Sequence, residues 1–221
     1  MSGMRSLPLD KVAALVPELP AKYAAICAIG VTTGCRITEI LSLRRFDLLT
    51  CDGKLKERIA FLKLKTKKKN ENGKEQAKTP QLTHRKLSIP RAYRPFILRH
   101  LRDEERRGYD RPDDLVFRGT LGRALSRLTV YRFFRARLGE GYGTHWMRKT
   151  FAQELFRYFV ERNRSDPMRA LELTRRALGH AQLDTTVKYL GITDAAIEEA
   201  QERIFTERRS DKGGSVGAES R

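Results

Sequence analysis

Between Thr144 and Leu190 the chain carries two imidazoles, a guanidinium and a phenol at spacings that let them meet. In Thr144-His145-Trp146-Met147-Arg148-Lys149-Thr150-Phe151-Ala152, His145 and Arg148 stand three apart, which on a helix is one face. In Ala177-Leu178-Gly179-His180, an imidazole follows a glycine placed where a left-handed helix stop would fall. Asp184-Thr185-Thr186-Val187-Lys188-Tyr189-Leu190 puts a phenol near the end of a short segment that Asp184 is predicted to cap. A phenol is a nucleophile, guanidinium forks bind non-bridging phosphate oxygens bidentately, and imidazoles exchange protons near neutrality. Singly, each residue has a plainer reading: a half-buried Tyr, a hydrogen-bonded structural His, a solvated Arg. Together, with one more Arg and a Lys, they are the groups needed to break a phosphodiester without a metal.

The chain offers both upstream. Arg36 opens a predicted helix, Arg36-Ile37-Thr38-Glu39-Ile40-Leu41-Ser42-Leu43, after a break at Thr32-Thr33-Gly34. Ile37, Ile40 and Leu41 turn one face inward, and a cation at a helix start is opposed by the helix dipole. That placement points to a task other than stability, the plain alternative being a surface pair with Glu39. The lysines are at Lys65, Lys67, Lys68 and Lys69, at the end of a predicted strand and in the polar loop after it.

The elements that must position these groups read as mostly helical. A first helix spans 11–16, with Asp10 as its cap and Pro17 as its end, and an apolar core helix covers 21–31. Three strands of a small antiparallel sheet follow at 46–51, 58–65 and 82–89, with Asp52-Gly53 as the first turn. Helices then cover 93–107, from Ser126 or Thr129 to 138, from 145 to about 160, 167–178 after Asp166 and Pro167, and 195–208. The fold class is mainly α with a small antiparallel β-sheet (α+β). Residues 1–8 are expected to fray, 9–208 to form one domain, and 209–221 to be a disordered tail.

Composition narrows the partner. Of 221 residues, 45 are Lys or Arg and 27 Asp or Glu, a formal charge of +18 with a pI near 10.2. Such a surplus points to a polyanion, most often nucleic acid. No long uncharged apolar run and no apolar leader is present, which argues against a membrane and for a cytoplasmic protein. Cys27, Cys35 and Cys51 are odd in number and lack metal-site spacing, so neither zinc nor a structural disulfide is expected.

Taken in order, Gly34-Cys35-Arg36-Ile37-Thr38-Glu39-Ile40, the His145–Ala152 stretch, Leu178-Gly179-His180 and Thr185-Thr186-Val187-Lys188-Tyr189 resemble the successive boxes of the tyrosine recombinase (phage integrase) family. The resemblance covers roughly residues 9–208. It implies a metal- and ATP-independent site-specific recombinase with no cofactor. Tyr189 would attack a DNA phosphate to give a 3′-phosphotyrosine, Arg36 and Arg148 would hold the phosphate, and His145 and His180 would assist. Lys65 best matches the family's lysine that protonates the leaving 5′-oxygen, with Lys67 as the alternative. Lys67, Lys68, Lys69 and Lys149 are candidate DNA contacts, Lys149 standing where many members have a second His. Implied partners are double-stranded DNA, further copies in a homotetramer on paired sites, and DNA-bending accessory proteins. The family's N-terminal clamping domain has no counterpart in these residues, so either a catalytic-domain-only member or a truncated gene is expected. Two other readings remain: a type IB topoisomerase-like enzyme, and a DNA-binding regulator that keeps the residues without the chemistry. The predicted 195–208 helix would pack either on its own domain or on a neighbouring protomer.

Overall fold

The structure, a computed structural model, describes residues 5–61, 85–119, 122–162, 166–180 and 182–190. Its centre is helix α2 (Ala21–Thr33), where Ala24 to Val31 are all buried. A helix built of Ala, Ile, Cys and Val on every side has no polar face to give to water and belongs inside. It packs against α1 (Leu9–Glu18), α5 (Arg94–Arg106) and α7 (Trp146–Arg162). Burial pushes the Cys27 thiol up, as expected of an inert core cysteine.

Helix α1 differs from the expected 11–16: it begins after Pro8, holds Asp10 in its first turn, and runs through Pro17. Proline has no N–H to give the Ala13 carbonyl, and the helix stops one residue later, at Glu18. Residues 5–8, expected to fray, are tethered instead. Arg5 N–H donates to Gly141 O (3.1 Å), and Leu7 exchanges two bonds with Thr150 Oγ1, at 2.9 Å through its N–H and 3.0 Å through its carbonyl.

After α2, Gly34 takes a left-handed conformation (φ 60°) and turns the chain into α3 (Ile37–Leu41). The expected strand at 46–51 is absent. Arg44 N–H donates to Asp47 Oδ2 (2.8 Å), an acidic cap that pulls Arg45–Leu48 into a helical turn, α4. Only Leu49 then bridges Leu55, across the expected turn, where Gly53 has φ 73°. The sheet is therefore a two-stranded antiparallel pair, β1 (Arg58–Phe61) and β2 (Arg85–Ser88), with Ile59 opposite Leu87. Ile59 and Phe61 alternate inward, as period-two burial requires. Residues 62–65 and 82–84 of the predicted strands lie outside the described residues.

A short 3₁₀ turn (Arg91–Tyr93) leads into α5, and α6 (Arg127–Leu138) starts at Ser126, whose Oγ accepts the Thr129 N–H (3.0 Å). Tyr23 stacks on Phe133 at 3.5 Å between centroids, and Phe134 meets Trp146 edge-on at 5.6 Å. These rings fasten α2, α6 and the start of α7 together. Helix α8 (Pro167–Leu178) opens as predicted, with Asp166 Oδ1 accepting the Arg169 N–H (2.9 Å), and closes on left-handed Gly179 (φ 66°). The last described helix, α9 (Leu183–Leu190), packs on α7 and α8. Asp184, the predicted cap, lies one residue past the start of this helix, and its side chain is outside what is described. The predicted 195–208 helix and 209–221 tail fall outside the described residues.

Candidate active site

Arg148 sits in the first turn of α7 with only 1% of its surface exposed. A buried guanidinium is costly unless its N–H groups find acceptors. Here Nη1 donates to Gly34 O, while Nη2 donates to Leu178 O (2.8 Å) and to His180 Nε2 (2.8 Å). Gly34 and Leu178 are the carbonyl ends of α2 and α8, where the helix dipoles are negative. Two helix ends and an imidazole thus form the cradle of one cation.

The same contacts assign the His180 tautomer. Arginine has donors only, so His180 Nε2 must be the unprotonated nitrogen. Nδ1 then carries the hydrogen and donates to Thr186 Oγ1 at 2.9 Å. Thr186 is fully buried on α9, and through it α9 is registered against His180. Tyr189 lies in α9, three residues beyond Thr186 and so one turn further along the helix; its side chain is outside what is described. Gln153 Nε2 also reaches Leu190 O (3.4 Å), tying α7 to the end of α9.

His145 does not lie within the helix, as the sequence suggested, but immediately before α7, where its carbonyl accepts the Lys149 N–H (3.0 Å). Its imidazole is half-buried and held below the ordinary range, first by burial and then by the charges of Arg148, Arg127 and Arg36. It is therefore neutral at neutral pH, with the charges of three arginines acting on it. Arg36 is the N-cap of α3, its side chain 41% exposed and its Nη1 3.3 Å from Glu39 Oε1. Glu39 is no ordinary surface partner: it is 7% exposed, and its Oε2 also takes the Arg36 N–H at 2.7 Å. A buried carboxylate thus anchors Arg36 while leaving part of that side chain to solvent.

Of the four candidates Arg36, His145, Arg148 and His180, the structure bonds Arg148 to His180 directly and leaves the charges of Arg36 and Arg148 acting on His145. Sequence reasoning missed Arg127, the first residue of α6, where no acid occupies the first turn. The signal that drew attention to Arg36, a cation against a helix dipole, was present there too. Beside His145 opens a cavity of about 540 Å³ lined by Arg127, Leu128, Tyr131 and Tyr142. Lys149 is half-buried on α7. Lys65, Lys67, Lys68 and Lys69 lie outside the described residues. Among those that are described, no group of His, Cys, Asp and Glu is placed to hold a metal ion. What the site offers is cationic N–H donors for an oxyanion beside a neutral imidazole that can accept a proton.

The mostly helical architecture with its two-stranded sheet is the fold of the tyrosine recombinase catalytic domain. Three solved structures carry the likeness. XerH site-specific recombinase bound to palindromic difH substrate is 23% identical with a TM-score of 0.58, over 90% of this chain and 52% of that one. XerA recombinase is 21% identical with a TM-score of 0.57, over 92% and 65%. The Tn1549 transposon integrase in complex with a circular intermediate DNA is 15% identical with a TM-score of 0.58, over 92% and 67%. The chain thus spans about half the length of the XerH chain and two thirds of the others. No protein-family model matches the sequence, and neither does any curated protein.

Proposed function

We propose that this chain is the catalytic domain, over 9–208, of a site-specific DNA recombinase that cuts and rejoins strands through a covalent 3′-phosphotyrosine. The observation that carries the proposal is the cradle of Arg148. A guanidinium buried among two helix ends and His180 is poorly explained as a stabilising device, since an apolar side chain would fill that space without desolvating a charge. It is well explained as a preorganised holder of a phosphate.

In this reading the Tyr189 oxygen forms a bond to phosphorus as the bond from phosphorus to the 5′-oxygen breaks. Neutral His145 takes the phenol proton, and Lys65 (or Lys67) gives one to the leaving oxygen. Arg36 and Arg148 hold the non-bridging oxygens, where losing one such donor typically costs ~10²–10³ in rate. His180 acts by keeping Arg148 oriented. A phenol with a reference pKa of ~10 needs neighbouring cations to react at neutral pH, and this site concentrates them. Lys67, Lys68, Lys69 and Lys149 would contact the DNA backbone, and four copies would act on paired double-stranded sites in the cytoplasm, with DNA-bending proteins as possible helpers. XerH and the Tn1549 integrase were solved on DNA, which supports the substrate class.

The test is covalent trapping on a nicked DNA duplex, in which the fragment below the nick diffuses away after cleavage. Wild type should give a protein–DNA adduct that survives denaturation, and Tyr189→Phe should give none while still binding the duplex. Binding without an adduct from wild type would favour a regulator that has the site without the chemistry. Relaxation of supercoiled DNA by a monomer would favour a type IB topoisomerase-like enzyme.

A further inference from the structure

His180 is fixed at four points. Its ring is held at Nε2 by Arg148 (2.8 Å) and at Nδ1 by Thr186 (2.9 Å). Both of its main-chain groups go to one residue, Arg175: the His180 N–H donates to Arg175 O (3.1 Å), and Arg175 Nη1 donates back to His180 O (2.7 Å). A helix stop at a left-handed glycine ordinarily uses main-chain bonds alone. Here a side chain from the last turn of α8 reaches over Gly179 and fastens the carbonyl beyond it.

The guanidinium that does this is itself braced. Arg175 Nε meets Glu172 Oε2 at 2.6 Å and Nη2 meets Glu172 Oε1 at 2.8 Å, the two-bond fork that fixes a guanidinium plane. Arg176 Nε adds a third bond to that carboxylate (2.8 Å), and together they hold the Glu172 carboxyl down at about 2. The Arg175 side chain is 26% exposed against 72% for Arg176, so the two arginines differ in kind: one is turned into the cap, the other lies in water.

We infer that Arg175, oriented by Glu172, is a positioning residue of the strand-transfer site: it pins the His180 carbonyl so that the imidazole stays aimed at Arg148. The inference rests on the function proposed above, because its consequence is felt through Arg148. The competing use of Arg175, a direct phosphate contact, fits poorly with a fork already closed on a carboxylate. The two uses also predict opposite responses to Glu172→Gln. Releasing a phosphate-binding arginine would speed cleavage, whereas loosening a brace slows it.

The experiment uses the full chain and measures single-turnover adduct formation at saturating nicked DNA, so that affinity changes drop out. Arg175→Met keeps the stem and the main-chain acceptor and removes only the fork. It should slow the reaction ~10- to ~100-fold, the usual range for a group that orients a reacting one. Glu172→Gln should slow it less, Arg175→Lys should recover part of the rate, and Arg176→Met should match wild type. In the free protein, ring ¹⁵N shifts of His180 should show protonated Nδ1 and bare Nε2 in wild type, and a tautomer mixture in Arg175→Met. An Arg175→Met protein with wild-type rate and an unaltered tautomer overturns the inference. So does an equal loss in Arg176→Met, which would mark simple loss of charge, or a faster Glu172→Gln. Should wild type form no adduct, the proposed function fails, and the ring shifts still decide whether Arg175 orients His180. Should Arg175→Met fail to fold, the Lys and Gln variants carry the test.

Discussion

His100 and His145 are two imidazoles that folding keeps neutral, for different reasons. His100 is 1% exposed, its Nε2 donating to Val116 O (2.9 Å) while its ring stacks on Phe117, and burial brings it to about 4. His145 is lowered less, by burial and then by the cations of the site. Both folded values lie below the unfolded one of ~6.5, so the unfolded chain takes up protons first as the pH falls. The stability these groups contribute is therefore complete above pH ~6.5 and is lost on the way down through the folded values. For His100 alone the loss is about 2 kcal/mol between pH 7.5 and 5, before ordinary carboxylates titrate. Urea unfolding at the two pH values should show it. His100→Gln, which keeps a donor for Val116 O but cannot charge, should remove that share; an undiminished pH dependence would count against a neutral buried His100. At this scale the candidates Arg36, His145, Arg148 and His180 were legible, because chemistry-bearing side chains at fixed spacings announce themselves. Their partners were not. Arg148 is held by main-chain carbonyls 114 and 30 residues away, and a main-chain oxygen leaves no mark on residue type.

Helix ends, more than helix bodies, build this site. The C-terminus of α2 and that of α8 each stop on a left-handed glycine and offer a carbonyl to Arg148, and α3 starts on Arg36. Gly34 is required twice over: φ is 60°, and a Cβ would stand 2.3 Å from Phe151 Cδ1. Gly34→Ala should cost roughly 2–4 kcal/mol, part from left-handed strain and part from overpacking. Shaving Phe151 to Ala in the same chain should relieve only the overpacking part, so the double mutant should be less unstable than the sum of the singles. Strict additivity in urea unfolding would mean that Phe151 does not press on this turn. Capped helices were the legible elements: Ser126, Asp166 and Gly179 act as their sequences suggest. The segment at 46–51 was not, because alternating apolar residues read as a strand until Asp47 is seen to cap Arg44, and that bond depends on a turn only the folded chain supplies.

Across the whole molecule, +18 on 221 residues is the excess left after every Asp and Glu is set against a Lys or Arg, so no ion pair within the chain can neutralise it. No helix among the described residues is long and apolar enough to cross a membrane, and a charge excess of this sign suits an anionic partner. If that partner is duplex DNA, binding must weaken linearly in log–log terms with salt, by ~0.9 per phosphate neutralised. The lysine cluster at 67–69 tests how the charge is used, because its residues adjoin Lys65 and only Lys67 among them has a proposed part in the chemistry, as the alternative acid. Replacing Lys67, Lys68 and Lys69 together with Ala should weaken binding to any duplex and flatten the salt slope by up to ~2.7, if each lysine meets one phosphate. The single-turnover rate at saturating DNA should stay that of wild type if Lys65 is the general acid. A rate that collapses in the triple variant and returns when Lys67 alone is restored would move the acid to Lys67. A salt slope unchanged by all three substitutions would take the cluster off the DNA, leaving the charge that binds to the rim of Arg36, Arg127 and their neighbours.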